Sequence, residues 1–173
     1  MNWYKKAQSQ DQTGRGGLIG PVWHGTLSDF SSQEWKLEGL GIHFGTREQA
    51  EDRVGNNQDA GWEGGPRYIQ AYLDIKNPLR MGDGYWNDPQ EMIDDLIGLG
   101  ISVPPEWDQW VNNPSDSSQP DDKTKLVLIR EFLQSLGYDG IIYLNDGEIS
   151  GQVWQDSYIV FDKDHIVFSQ TEG

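Results

Sequence analysis

The chain contains no cysteine among its 173 residues. Disulfide bonds, thiol nucleophiles and cysteine-ligated zinc are therefore excluded, and the composition suits a reducing compartment such as the cytoplasm. Positive charge is also scarce, because 13 Lys and Arg residues stand against 28 Asp and Glu residues, for a net charge of −15. This balance repels phosphate backbones and anionic membranes, so we expect neither nucleic acid nor a membrane as a partner.

Long apolar runs and the common nucleotide-binding loops are missing as well. No run approaches the ~20 apolar residues that a membrane span needs, and residues 1–17 lack the apolar segment of a signal peptide. We find no Walker loop, no GxGxxG turn and no GxSxG nucleophile elbow. We expect a flexible leader over residues 1–17 and one soluble, monomeric, cytoplasmic domain over residues 18–173.

Short segments of apolar and β-branched residues predict strands along most of the remaining chain. In RYIQAYLDI, for example, apolar residues alternate with polar or aromatic ones. The segments are LIGPVWHGT (18–26), GIHFGT (41–46), RYIQAYLDI (67–75), YDGIIYL (138–144), SYIVF (157–161) and HIVF (165–168).

Helices are predicted between these strands. Thr46 and Gln49 match a capping box, which favours a helix over 46–54, and Asp88-Pro89 supplies an N-cap and a helix-compatible first residue. The predicted helices cover residues 46–54, 90–100, 104–113 and 122–137. Strands with few helices between them favour an α+β fold with antiparallel or mixed pairing.

His24 lies near the end of an apolar strand, where a lone histidine is more often a hydrogen-bonded core residue than a ligand. Its neighbours favour a binding role. Gly25 removes a side chain where a flat ligand could approach the backbone, and Thr26 adds a hydroxyl. His43 and Thr46 follow in GIHFGT, and the two segments could form two walls of one cleft.

The three histidines also invite a metal interpretation, with His24, His43 and His165 as imidazole ligands. Their spacing matches no local metal-binding motif, so we expect no metal site. The acidic pairs of the sequence are more typical of solvated faces and helix N-termini than of catalytic dyads.

Several segments, taken in order, resemble the ADP-ribosyltransferase superfamily. VWHGT resembles the first-strand His-Gly motif of its diphtheria-toxin and poly(ADP-ribose) polymerase-like branch, GIHFGT its Gly-Ile-Tyr-Phe segment, and DSYIVFDKDHI its closing strand. YIQAYLDIKNPLRMGD and GYDGIIYLNDGE, followed by DSYIVFDKDHI, are similar to the ADP-ribosyltransferase domains of polyvalent proteins of phages and mobile elements. The resemblance extends over roughly residues 18–168, and the ordered set is more specific than any single motif.

This resemblance implies a split, mixed β-sheet that binds NAD, the substrate, in a bent conformation. His24 would hydrogen-bond the adenosine ribose, and the Gly25 backbone would hold the nicotinamide carboxamide. His43 stands where the branch has a tyrosine that stacks on nicotinamide, and Thr46 could supply a hydroxyl to the carboxamide. The residues expected to contact NAD are His24, Gly25, Thr26, His43, Phe44, Thr46 and Ser157.

The implied reaction breaks the bond between nicotinamide and ribose, and a carboxylate would stabilise the positive charge that develops on the ribose. Ser157 stands where enzymes of the polymerase branch carry glutamate. Glu148 occupies the glutamate position of the polyvalent-protein pattern, so we expect it to be catalytic, with Asp156 in reserve. Because neighbouring residues of a strand point to opposite faces, Asp156 should face away from Ser157.

The implied activity transfers ADP-ribose from NAD to a side chain of a protein acceptor, which the acidic chain would suit if the acceptor is basic. Two alternatives stay open. The chain could bind NAD or ADP-ribose without turning it over, or it could be a structural module of a phage particle that binds no nucleotide.

Overall fold

Strands form two four-stranded sheets in the part of the chain that the computed structural model describes, residues 13–14, 17–27, 35–59, 61, 64–84, 86–145 and 155–168. The strands are β1 (Thr13–Gly14), β2 (Leu18–Thr26), β3 (Ile42–Phe44), β4 (Arg67–Leu73), β5 (Pro78–Met81), β6 (Gly140–Asn145), β7 (Gln155–Val160) and β8 (Ile166–Phe168). The helices are α1 (Arg47–Asp59), α2 (Pro89–Gly98), α3 (Asp108–Asn112) and α4 (Asp122–Ser135).

The first sheet has the strand order β1-β2-β4-β8 and is antiparallel throughout. The second sheet has the order β3-β7-β6-β5, and only its β5–β6 pair is parallel. Trp23 of β2 and Gly45, just after β3, exchange backbone hydrogen bonds of 2.8 and 2.9 Å and so join the two sheets. The expected α+β class with antiparallel and mixed pairing is confirmed.

The two faces of the second sheet are buried against different partners. Ile159 and Phe161 belong to a core cluster that includes apolar residues of α2, α3 and α4. Tyr158 and Val160 instead belong to a cluster that includes residues of the first sheet, such as Leu73. The strict alternation along β7 therefore gives the second sheet one face toward the helices and one toward the first sheet.

Local capping starts three of the helices. Thr46 and Gln49 form the predicted capping box at α1, because each side chain accepts a hydrogen bond from the other residue's backbone N–H, at 3.2 and 2.8 Å. Asp88 accepts from the first N–H groups of α2, as predicted, and Asp121 accepts from the N–H of Thr124 at 2.7 Å in α4. These bonds fix where each helix begins.

The structure differs from the sequence predictions at several places, of which three are larger or affect the core. Helix α1 extends to Asp59, well beyond residue 54. Strand β5 was not predicted, because its four residues are too few to show a period. Helix α4 ends at Ser135 rather than at the predicted residue 137, and Leu136, which follows it, is 49% exposed.

The expected leader lies mostly outside the described residues. Of residues 1–17, the structure describes Thr13, Gly14 and Gly17. Thr13 pairs with Ile19 and Gly14 with Leu18, so this short segment adds a strand to the edge of the first sheet. None of the helices in the described ranges is both long and apolar enough to span a membrane.

Candidate functional site

A cleft of about 640 Å³ opens beside the junction of the two sheets. Strand β2 contributes His24, Gly25 and Thr26 to its wall, and His43 of β3 also lines it. The other walls come from the loop before β3, from α1 and from the first turns of α4. The structure therefore brings both predicted histidine segments to one cleft.

A smaller inner cavity of about 20 Å³ adjoins the cleft, since Gly25, His43 and Arg53 line both. Ser157 and Phe44 line the inner cavity as well. This volume suffices for about one water molecule. A nicotinamide ring would need the walls of the inner cavity to move apart.

His24 is both a packed residue and a wall of the cleft. Its Nδ1 lies 2.7 Å from the backbone carbonyl oxygen of His43, and because that oxygen can only accept, Nδ1 carries the proton. Burial lowers the pKa of His24 from 6.5 to about 4, so the ring is neutral at neutral pH and Nε2 is its acceptor nitrogen. The ring also packs edge-on against Trp35, with centroids 4.9 Å apart.

His43 lies on the helix-facing side of the second sheet, in register with Ile159. Burial lowers its pKa well below the ordinary value, and the charge of Arg53 lowers it further, so this ring is neutral too. Its Nδ1 is buried and has no hydrogen-bond partner among the described residues. The pair thus presents two neutral imidazoles to the cleft.

The glycine at position 25 has a packing reason that the sequence did not reveal. A Cβ built there would collide with the backbone carbonyl oxygen of Ala50 and come within 3.0 Å of Val54, both on α1. Close packing of α1 on β2 therefore requires the glycine, whether or not a ligand approaches its backbone.

Thr46 lies apart from the two cavities, and its hydroxyl accepts from Gln49 in the capping box. Gln49 reaches the inner cavity instead, and its Oε1 accepts both the Thr46 N–H and, at 3.0 Å, the hydroxyl of Ser157. Ser157 is 2% exposed, and Asn145 donates to its Oγ at 3.4 Å. The polar end of the inner cavity is therefore a network of amides and a hydroxyl.

Of the two predicted carboxylates, the structure describes only Asp156. Asp156 faces away from Ser157, as predicted, and both of its oxygens accept from Arg80 at 3.0 Å. Burial of the neighbouring Tyr158 raises the pKa of that phenol to about 12, and the charge of Asp156 contributes to the same shift. Asp156 lines neither cavity. Glu148 lies outside the described residues.

Sequence reasoning missed most of the other side chains that line the cleft, among them Arg53, Trp86 and Lys123. Trp86 packs on Tyr143 of β6, with ring centroids 4.4 Å apart. Each lies far in sequence from the histidine motifs or inside a helix, so only the tertiary fold reveals it. No group of three or more His, Asp and Glu side chains in the described residues is arranged to hold a metal ion.

Comparisons of the chain with protein-family models, with curated proteins and with solved structures find no match. The features of the chain that bear on its function are therefore the geometry of the cleft and the motifs that line it.

Proposed function

We propose that this protein binds NAD in the cleft and transfers its ADP-ribose group to a protein side chain, with release of nicotinamide. The observation that carries the proposal is the convergence of His24, Gly25 and His43 on one cleft at the split between the sheets. The resemblance to ADP-ribosyltransferases implies that these residues contact NAD, and all three line the same cleft.

The protonation of the two histidines suits this ligand. In a neutral His24 with its proton on Nδ1, Nε2 is an acceptor nitrogen, which is the kind of group to which a ribose hydroxyl donates. A neutral His43 presents a flat ring that can stack on nicotinamide without repelling the positive charge of the pyridinium. Entry of that ring requires the inner cavity of about 20 Å³ to widen.

The reaction breaks the bond between the nicotinamide nitrogen and the ribose carbon, and the electron pair leaves with neutral nicotinamide. A nucleophile of the acceptor protein then bonds to the ribose carbon and loses its proton to solvent, with water as a competing nucleophile. A carboxylate near the ribose would stabilise the oxocarbenium-like transition state. Glu38 is the one carboxylate among the described residues that line the cavities, and it already pairs with Lys123 at 2.8 Å. We assign this role to Glu148, because the resemblance places that residue at the glutamate position of the polyvalent-protein pattern.

The test is release of nicotinamide from NAD by the purified protein, with and without a cell lysate as a source of acceptors. Glu148→Gln is compared with Glu106→Gln, a change at an exposed residue next to α3. We expect release by the parent protein and Glu106→Gln, and its loss in Glu148→Gln. Full release by Glu148→Gln would overturn the assignment of the carboxylate.

A second candidate is a module that binds NAD or ADP-ribose without turnover. The observation that favours it is Ser157, which stands at the glutamate position of the polymerase branch, is 2% exposed and is hydrogen-bonded to Gln49. Thermal stabilisation by NAD without nicotinamide release would select this candidate. Absence of both effects would overturn the proposal and leave a structural role.

A further inference from the structure

Positive charge gathers at the cleft although the chain is strongly acidic. The whole chain has 28 acidic residues for 13 Lys and Arg. The described lining of the cleft reverses this ratio, with Arg53 and Lys123 against Glu38. Because Lys123 and Glu38 pair with each other at 2.8 Å, Arg53 supplies the uncompensated charge.

Arg53 differs from the other arginines whose contacts the structure gives in full. Arg47 pairs with Glu51, Arg80 forms two hydrogen bonds to Asp156, and Arg130 donates to a backbone carbonyl. Among the described residues, the Arg53 guanidinium has no hydrogen bond or ion pair, although the residue is partly buried on α1. A guanidinium that faces a cleft without a protein partner keeps its donors free for a bound anion.

The position of Arg53 indicates which part of a ligand it would meet. It lines both the inner cavity, beside Ser157, and the open cleft, beside His24. It also lies close enough to both histidines for its charge to lower their pKa values. A dinucleotide whose two ends occupied these two spaces would pass its central diphosphate over Arg53.

We infer that Arg53 is the anion-binding residue of the cleft and that it selects ligands carrying a diphosphate. The inference deepens the proposed function and depends on it for the identity of the dinucleotide, but not for the anion site itself. The planar guanidinium can donate two parallel hydrogen bonds to phosphate oxygens, and partial burial strengthens them. The neutral histidines nearby add no charge that would compete for the anion.

The test is calorimetric titration of the parent protein, Arg53→Gln and Arg53→Lys with NAD, ADP and adenosine. Lys76→Gln, which removes the same charge at an exposed site outside both cavities, is the matched control. We expect Arg53→Gln to weaken NAD and ADP binding by roughly 10- to 100-fold, the range for a hydrogen bond to a charged group. The affinity of Arg53→Lys for NAD and ADP should lie between those of the parent protein and Arg53→Gln, because lysine keeps the charge but lacks the planar guanidinium. The affinity for adenosine should be the same in the parent protein and in the Arg53 variants. Lys76→Gln should bind NAD and ADP as tightly as the parent protein does.

The outcomes separate the two proposals. If NAD binds equally well to the parent protein and Arg53→Gln, the role of Arg53 is wrong and the proposed function survives. Arg53-dependent binding of ADP, without any binding or consumption of NAD, would support the anion site and overturn the proposed function. If the parent protein binds neither ADP nor NAD, both are overturned. Because the Arg53 guanidinium makes no hydrogen bond or ion pair with the described residues, its variants should keep the melting temperature of the parent protein. Thermal unfolding followed by circular dichroism would verify this.

Discussion

The imidazole of His24 donates a hydrogen bond from Nδ1 to the backbone carbonyl oxygen of His43, across 2.7 Å. This bond joins β2 of the first sheet to β3 of the second, next to the backbone bridge between Trp23 and Gly45. The His24 side chain therefore links the two sheets, and the same hydrogen bond fixes the ring as the tautomer with its proton on Nδ1.

The two partly buried histidines, His24 and His43, should make the protein sensitive to mild acid. The pKa of His24 is lowered from 6.5 to about 4, chiefly by burial, and that of His43 is lowered as well. As the pH falls from 6.5 toward 4, the unfolded chain takes up protons at these residues and the folded protein does not, so the free energy of unfolding decreases. Above this window the contribution is fully present.

Urea unfolding at a series of pH values would measure this effect, with His24→Gln as the comparison. Gln can still donate to the His43 carbonyl and does not titrate, so its free energy of unfolding should fall less steeply over the same window. The carboxylates of the chain affect both proteins alike and cancel in the difference. Parallel pH dependences would contradict the burial of a neutral His24.

Gly25→Ala should destabilise the fold through the contact between β2 and α1. The added methyl group collides with the Ala50 carbonyl and crowds Val54, and we expect a loss of about 1–3 kcal/mol, as for overpacked sites. Gly55→Ala is the matched control, because its Cβ would meet nothing within 4 Å and its helix α1 should gain up to ~1 kcal/mol. Denaturant unfolding measures both, and equal effects would refute the packing reason for Gly25.

Local signals in the sequence predict much of the fold. The capping box of Thr46 and Gln49 and the N-cap at Asp88 depend on residues within three positions of one another, and both are confirmed. The alternating pattern of β4 likewise places Ala71 and Leu73 in the core. Such features follow from backbone chemistry that a few neighbouring residues determine.

The parts of the site that sequence reasoning missed depend on distant residues. Gln49 and Ser157 are 108 positions apart, and nothing in either segment indicates that their side chains meet. The clash that requires Gly25 comes from α1, and the exposure of Arg53 to the cleft depends on how that helix packs. A single sequence carries no local pattern for such contacts.

Gln49 should stabilise the fold through both of its acceptor contacts. Gln49→Ala removes the oxygen that accepts from the Thr46 N–H and from Ser157, and we expect a loss of about 1–2 kcal/mol in the free energy of unfolding. Thr46→Ala removes only the hydroxyl that accepts from Gln49 in the capping box, so it should lose less. Thermal unfolding compares the two variants, and equal losses would show that the contact of Gln49 with Ser157 adds nothing to stability.

The ion pair of Arg80 and Asp156 should contribute to stability more than an exposed pair does. The side chains are 33% and 16% exposed and meet through two hydrogen bonds, and the Asp156 contact raises the pKa of Arg80. A double-mutant cycle with Arg80→Met and Asp156→Asn should give a coupling of about 1 kcal/mol, near the upper end for partly exposed pairs.

The matched cycle uses Arg47 and Glu51, a helical pair whose side chains are 41% and 49% exposed, where we expect about 0.3–0.5 kcal/mol. Since Asp156 is adjacent to Ser157 in β7, the comparison also bears on the site. A coupling above that of the helical pair means that the Asp156 carboxylate is held by Arg80 on the face away from the inner cavity. A coupling no larger than that of the helical pair would refute the expectation that partial burial strengthens this ion pair.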